Sequence, residues 1–201
     1  MTRPRGAWRQ LDGGRRLRRP AGEQEVLDEL PTDLGVGVLL EGLDLAGERR
    51  EPLTLVDSVL RRCDLAGGSW QQVTVRQVEV VDCRATGLRL SVDLAQDTWV
   101  SGCRFDAAVV HVERVRGLLA FVGCTFADAL LTGDLSQAVF DDCDFDGAEF
   151  ALSAATGCDL RTSRLAAARG LLTLRGARVT ADQAVGMGPR LAAEAGLAVE
   201  D

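Results

Sequence analysis

Six cysteines, one histidine and a dense run of carboxylates are the residues of this chain that could do chemistry. Cys63, Cys83, Cys103, Cys124, Cys143 and Cys158 include no CxxC pair, the usual source of converging sulfurs in a tetrahedral metal site. His111 stands alone, so any hydroxyl or thiol nucleophile would have to be built on it, and the sequence marks none nearby. There is no Walker loop, no GxGxxG after a strand and no zinc-hydrolase motif. No catalytic residue, metal or cofactor is therefore expected. The carboxylates are different. From Gly117 to Leu160 there is no basic side chain, yet Asp128, Asp134, Asp141, Asp142, Asp144, Asp146, Glu149 and Asp159 fall there. Their chemistry is electrostatic. Asp134, Asp141, Asp142, Asp144, Asp146 and Glu149 form the candidate partner-binding belt. Adjacent carboxylates such as Asp141 and Asp142 could share a divalent ion, but side chains splayed outward favour solvated surface.

Composition bounds what these groups can serve. The chain has 201 residues, 46% of them hydrophobic and 26% charged, enough for one domain with its own core. Lys, Asn, Ile and Tyr are absent; their codons are rich in A or T, which points to a GC-rich, bacterial genome. No apolar run is long enough to span a membrane, and no apolar stretch follows the first arginines as in a secretory signal. The cytoplasm is the expected compartment, with the thiols reduced. The first 20 residues hold seven arginines (Arg3, Arg5, Arg9, Arg15, Arg16, Arg18, Arg19) against Asp12 alone, so the total of −7 leaves residues 21–201 at −13. Such an arm is expected to be mobile. It either tethers nucleic acid or an acidic partner, or folds loosely over its own acidic body.

The elements that must position the belt are set by a repeat. Cys63, Cys83, Cys103, Cys124 and Cys143 are spaced by 20, 20, 21 and 19 residues. Each precedes by two places a small or apolar residue: Leu65, Ala85, Phe105, Phe126 and Phe145. A shorter period of five runs inside this one, from Leu40 through Leu45, Leu55, Leu60, Leu65, Trp70, Val75 and Val80 to Val110 and Val115, with Arg50 its only charged member. It slips by one residue near Arg116-Gly117 and resumes at Phe121, Phe126 and Leu131. It returns to phase at Leu135, Phe140, Phe145, Phe150, Ala155, Leu160 and Leu165.

A period of five fits neither a helix nor a flat strand. It fits a chain that turns a corner every five residues, so that four corners close a square circuit of 20 and position i meets i+20 one layer away. Layers would stack at about 4.8 Å through main-chain hydrogen bonds. The cysteines then form a buried column with parallel side-chain vectors, poorly aimed for disulfides, and act as small packing residues. His111, one place past inward Val110, faces solvent. Phe105, Phe126 and Phe145 fall in one column, Phe121 and Phe140 in another. Trp70 is oversized for an inward corner, and Asp93 and Glu113 fall where small inward residues belong. The circuits there, and at Arg116-Gly117, are expected to bulge outward.

Cys63-Asp64-Leu65, Cys143-Asp144-Phe145, Ala148-Glu149-Phe150 and Cys158-Asp159-Leu160 resemble the pentapeptide repeat, whose consensus is roughly A(D/N)LXX. The resemblance covers about residues 36–180 and implies an all-β fold, a right-handed quadrilateral β-helix of about seven coils, or ~34 Å. Residues 1–35 are then an Arg-rich arm and lead-in, and 181–201 a helical cap. Thr180-Ala181-Asp182-Gln183 reads as a helix N-terminus. Pro189 opens a second helical stretch ended by Gly196, with Leu197 and Val199 covering the last coil. The ending Gly176-Ala177-Arg178-Val179, Asp182-Gln183-Ala184-Val185 and Gly196-Leu197 is similar to that of actinobacterial pentapeptide repeat proteins. Among these are gyrase inhibitors associated with fluoroquinolone resistance, which pair through this end into rod-like dimers.

Two functions follow from the resemblance. One is a rigid, non-enzymatic scaffold that binds another protein, its charge serving solubility. The other is an acidic rod that imitates the phosphate field of duplex DNA, with DNA gyrase as candidate partner and a homodimer as its form. Direct nucleic-acid binding is expected only through the arm.

Overall fold

The computed structural model describes residues 8–11 and 14–198. Arg3, Arg5, Asp12 and Val199 lie outside them. The chain winds as a four-sided parallel β-solenoid. The first face stacks β3 (Glu25–Leu27), β5 (Val38–Glu41), β8 (Val59–Arg61), β10 (Glu79–Val81), the end of β11 (Arg89–Ser101), the end of β13 (Val115–Val122) and β15 (Val139–Asp141). The second is a ladder of single bridges through Asp44, Asp64, Arg84, Arg104, Thr125, Asp144 and Arg164. The third takes β6 (Arg49–Arg50), the start of β9 (Ser69–Arg76), the start of β11, β12 (Val109–Val112), β14 (Leu130–Asp134) and β16 (Glu149–Ala154). The fourth takes β4 (Leu34–Val36), β7 (Leu53–Val56), the end of β9, the middle of β11 and the start of β13. The second-face ladder spans six complete circuits from Asp44 to Arg164, about 29 Å at the strand spacing, against seven expected. Pairing already begins at Glu25, but the first circuit is cut short: Glu25 lies over Val38, only thirteen residues on.

The five-residue period works because each rung points its central residue inward and the corners absorb the bend. Corner residues sit at positive φ, among them Asp57, Arg62, Asp82, Ala107, Asp128 and Asp142, a region where Asp is better tolerated than most side chains. Leu40, Leu60, Val100, Phe121, Phe140 and Leu160 fill the interior behind the first face, and Leu45, Leu65, Ala85, Phe105, Phe126, Phe145 and Leu165 behind the second. The rings stack as the layer spacing requires: Phe105 on Phe126 at 5.2 Å, Phe126 on Phe145 at 5.0 Å, and Phe121 on Phe140 at 4.9 Å, each pair within 8° of parallel. The two columns meet edge to face, as between Phe126 and Phe140 at 5.9 Å and 77°. Each such pair contributes about 0.5–1.5 kcal/mol beyond burial.

Departures from the pattern are handled locally. The register between β9 and β11 shifts on either side of Val92; Val92 turns inward while Asp93 is exposed, and Val112 is buried beside exposed Glu113. Apolar neighbours thus take the inward sites from two carboxylates whose burial would be costly. Trp70, by contrast, does not bulge. It stays in register between Arg50 and Leu90 and is buried. The interior can accept it because the core is loose here: Trp70, Val80, Leu90, Ala95 and Phe105 line an apolar cavity of about 80 Å³.

At the Arg116-Gly117 slip, Gln96 pairs with Arg116 but Thr98 with Leu119. The extra residue, Leu118, leaves the ladder and is buried on the outside with Ala120 and Val139. Leu17 packs against it. That contact ties down a segment expected to be mobile. β1 (Trp8–Gln10) and β2 (Arg16–Arg18) pair as an antiparallel hairpin over the first face. Arg9 stacks over Trp99 at 4.1 Å, and Arg9 and Arg19 pair with buried Glu79 at 3.2 and 2.8 Å. Arg15 donates to the Gln137 and Gly157 carbonyls. Composition gave no hint of the anchor, since a single buried Leu17 among arginines has no periodicity.

At the other end, α1 (Ala181–Glu194) covers the last circuit. Thr180 and Gln183 form the capping box, Gln183 N–H donating to Thr180 Oγ1 at 3.1 Å and Thr180 N–H to Gln183 Oε1 at 2.7 Å. Gln183 Nε2 also donates to the Leu160 and Ser163 carbonyls, both at 2.7 Å. Glu194 accepts from the Gly170 and Leu172 amides at 2.6 and 3.2 Å. One side chain thus satisfies two carbonyls at this end of the stack and another two amides. Pro189 lies inside this single helix instead of starting a second. Met187, which is buried, and Leu191 do the covering, while Leu197 is exposed. No helix among the described residues is long and apolar enough to cross a membrane.

Two substitutions probe this core. Phe126→Asp places a charge between two stacked rings and is expected to remove at least ~4 kcal/mol, abolishing cooperative unfolding; a soluble variant with an unchanged melting curve would reject the register. Ala95→Val fills part of the cavity and should raise stability by about 1 kcal/mol, read as a Tm increase of roughly 2–4 °C.

Candidate functional site

The belt residues project from corners and outward positions. Asp141 closes β15, Asp142 follows at a corner with φ 50°, Asp144 stands on the second face, Asp146 at the next corner and Glu149 at the start of β16. These five lie on one circuit. Asp134 does not join them: it ends β14, on the preceding circuit at the fourth side, where its carboxylate accepts from Ser136 N–H at 2.8 Å.

The neighbouring circuit changes the electrostatics. Arg164 stacks on Asp144 at 2.9 Å, Arg169 is the bridge partner of Glu149, and Thr162 Oγ1 donates to Asp141 at 2.8 Å and accepts from Asp142 N–H at 3.2 Å. Hydrogen bonds from Arg161 hold the Asp159 carboxyl below the usual range. Arg161, Arg164 and Arg169 stand 20 residues after Asp141, Asp144 and Glu149, and of these Arg164 closes an ion pair with its belt carboxylate. The same offset pairs Asp64 with Arg84 at 3.0 Å and brings Glu41 onto Arg62. A linear scan for charge runs misses this. Read at the repeat distance of 20, the sequence carried the signal.

A second acidic feature also escaped the linear reading. The corner between the second and third faces carries Asp106, Asp128 and Asp146 on three successive circuits. Asp106 is fixed by Thr125 Oγ1 and Ala127 N–H at 2.7 and 3.1 Å and pairs with Arg104 at 3.6 Å, while Asp128 and Asp146 are exposed. Asp146 is the one residue common to belt and ridge.

His111 lies on the third face, its Nδ1 2.8 Å from Thr132 Oγ1 and its Nε2 3.5 Å from Glu113. Thr132 is a hydroxyl that only stacking brings to the imidazole. The Glu113 side chain is 67% exposed, a loose partner for an orienting role.

All six cysteines are free and buried. Cys63 N–H donates to Cys83 Sγ at 3.4 Å, Cys83 N–H to Cys103 Sγ at 3.3 Å, and Cys143 N–H to Ser163 Oγ at 3.1 Å. Hydrogen bonds to neighbouring sulfurs, together with burial, hold the Cys63, Cys103 and Cys143 thiols above the usual range, and burial pushes Cys158 up to about 12. Among the described residues no three His, Cys, Asp or Glu side chains are grouped to hold a metal ion.

A five-residue rung, a twenty-residue circuit and a small residue two places before many of the inward centres define a pentapeptide-repeat β-helix. Solved structures of that class resemble it. A trypsin-treated form of QnrB1, a plasmid-mediated fluoroquinolone resistance protein, is 17% identical with a TM-score of 0.41, over 88% of this chain and 96% of that one. HetL, a pentapeptide repeat protein involved in heterocyst differentiation regulation in the cyanobacterium Nostoc, is 16% identical with a TM-score of 0.26, over 76% and 85%. No protein-family model matches the chain, and no curated protein does. Scores and identities this low support no inference about function, which is argued from this chain's own residues.

The cysteine column makes a simple prediction. In the native protein at mildly alkaline pH, a thiol reagent should label none of the six cysteines on the time scale of free thiols, and all six after denaturation. Rapid native labelling of any column member would show that the stack opens.

Proposed function

We propose that the chain is a non-enzymatic, rigid scaffold that binds another protein through its outer surface. The observation that carries this reading is the construction of the rod. Its interior is filled by side chains, its circuits are joined by main-chain hydrogen bonds, and its variable residues project at fixed steps. Such a surface can present charges and corners in register with a partner at little entropic cost. The ion pair of Asp144 with Arg164, and the placing of Arg161 and Arg169 one layer from Asp141 and Glu149, favour a mixed-charge docking surface over a uniformly negative one.

The alternative is an acidic DNA mimic that binds and inhibits DNA gyrase, the target suggested by the C-terminal sequence. The Asp106, Asp128 and Asp146 ridge favours it, because it repeats negative charge along the rod axis. A dimer of this kind would be built over α1, whose Val185 is 78% exposed and beside which Leu197 is 64% exposed. Such a rod belongs in the cytoplasm of a bacterium, and needs no cofactor.

A supercoiling assay with purified gyrase separates the readings. The scaffold reading expects no inhibition at micromolar protein in low or high salt. Inhibition that weakens, with a flatter salt dependence, when Asp141, Asp142, Asp144 and Asp146 are neutralised together would establish mimicry instead.

A further inference from the structure

The two ends of the solenoid are finished differently, and we infer that the N-terminal end is a docking edge for a basic, extended segment of a partner protein, added as a further β-strand. At the C-terminal end α1 covers the last circuit, and Gln183 and Glu194 meet two carbonyls and two amides there. At the N-terminal end, β3 pairs only with β5 and β4 only with β7. Their outer edges have no strand partner among the described residues. Such an edge is a template for strand addition.

Two further observations specify the occupant. Val26, Leu34 and Val36, on this short circuit, are 65%, 57% and 40% exposed, so an added strand would find apolar side chains to pack against. Around them stand Glu23, Glu25, Asp28, Glu29 and Asp33, all exposed, with no basic residue between Ala21 and Leu40. None of these five carboxylates has an ion-pair partner among the described residues. They differ in this from Asp64, Asp144 and Asp159, each matched by an arginine one circuit later or two residues on. The truncated circuit is the reason. With β3 and β5 paired at an offset of only thirteen residues, no arginine falls at the offset that neutralises carboxylates elsewhere. A strand alternating arginine with aliphatic residues supplies main-chain hydrogen bonds to the edge, apolar contacts to Val26, Leu34 and Val36, and countercharge to the rim. A second copy bound end to end would bring two acidic rims together, which disfavours that occupant.

This inference rests on the protein-binding reading but concerns a different surface from the belt, so the two fail separately. The probe is an eight-residue peptide alternating arginine and valine, titrated against the full chain by fluorescence anisotropy, with hydrogen exchange followed in parallel. The expected result is binding at least tenfold tighter than that of the glutamate–valine counterpart or a proline-interrupted version, weakened by salt. Slowed exchange should be confined to residues 25–36. The double variant Leu34→Arg and Val36→Arg, both at exposed sites and checked by an unchanged melting curve, should lose at least tenfold in affinity. Neutralising Asp141, Asp142, Asp144 and Asp146 should leave it unchanged. Equal affinity for the proline peptide, protection outside residues 25–36, full binding by the double variant, or loss in the belt variant would each overturn it. So would protection of residues 25–36 that grows with protein concentration in the absence of peptide, since that is the signature of self-association.

Discussion

The rest of the structure depends on one hydrogen bond repeated from circuit to circuit, in which a main-chain N–H meets the carbonyl of the residue about twenty positions away. Because each rung is committed to the rung beside it, side chains fall into columns, and most inward columns are apolar along their length. Leucine and phenylalanine stack behind the second face and sulfur stacks two places before them for this reason. The ladder tolerates errors of one residue where the error can leave the interior. Leu118 does so, and the circuits beyond it stay in phase because one later circuit is a residue shorter. The cysteine spacings of 21 and then 19 record that repair.

The same columns govern the outer surface. Charges that look clustered along the chain are interleaved in space with charges from the next circuit, so the field at any point reflects two or three layers at once. The acidic segment therefore meets partners with Asp144 matched by Arg164 one circuit on and ridge Asp106 matched by Arg104 at 3.6 Å, while Asp128, Asp146 and the carboxylates of the N-terminal rim have no ion pair among the described residues. The ridge residues occupy corners, where side chains splay apart. The rim lies on a circuit too short to place an arginine over it.

The hairpin of residues 8–19 shows how an irregularity becomes a contact. An extra leucine expelled from the ladder would leave an apolar side chain in water. Leu17 covers it, and the surrounding arginines find Glu79, Trp99 and carbonyls of the first and fourth sides. Asp97, which accepts from the Arg18 and Leu118 amides, is held above the usual carboxylate range by its burial at this junction. A strongly basic segment is thereby held to the acidic body by a few specific anchors as well as by its general charge.

Much of this was legible in the residues alone. The five-residue period, the cysteine column, the phenylalanine stacks, the outward turns at Asp93 and Glu113 and the Thr180–Gln183 cap all follow from local spacing, because a solenoid brings together residues at a constant separation. What required the tertiary structure were the contacts outside that constant: Leu17 on Leu118, Trp70 against a cavity that makes room for it, α1 continuing through Pro189, and Met187 and Leu191 covering the end in place of Leu197. The pairing of Asp144 with Arg164 one circuit on stands between the two. It obeys the repeat distance and could be read from the sequence, but only once the stacking was known, since charge pairs act through space and a linear scan reports only neighbours along the chain.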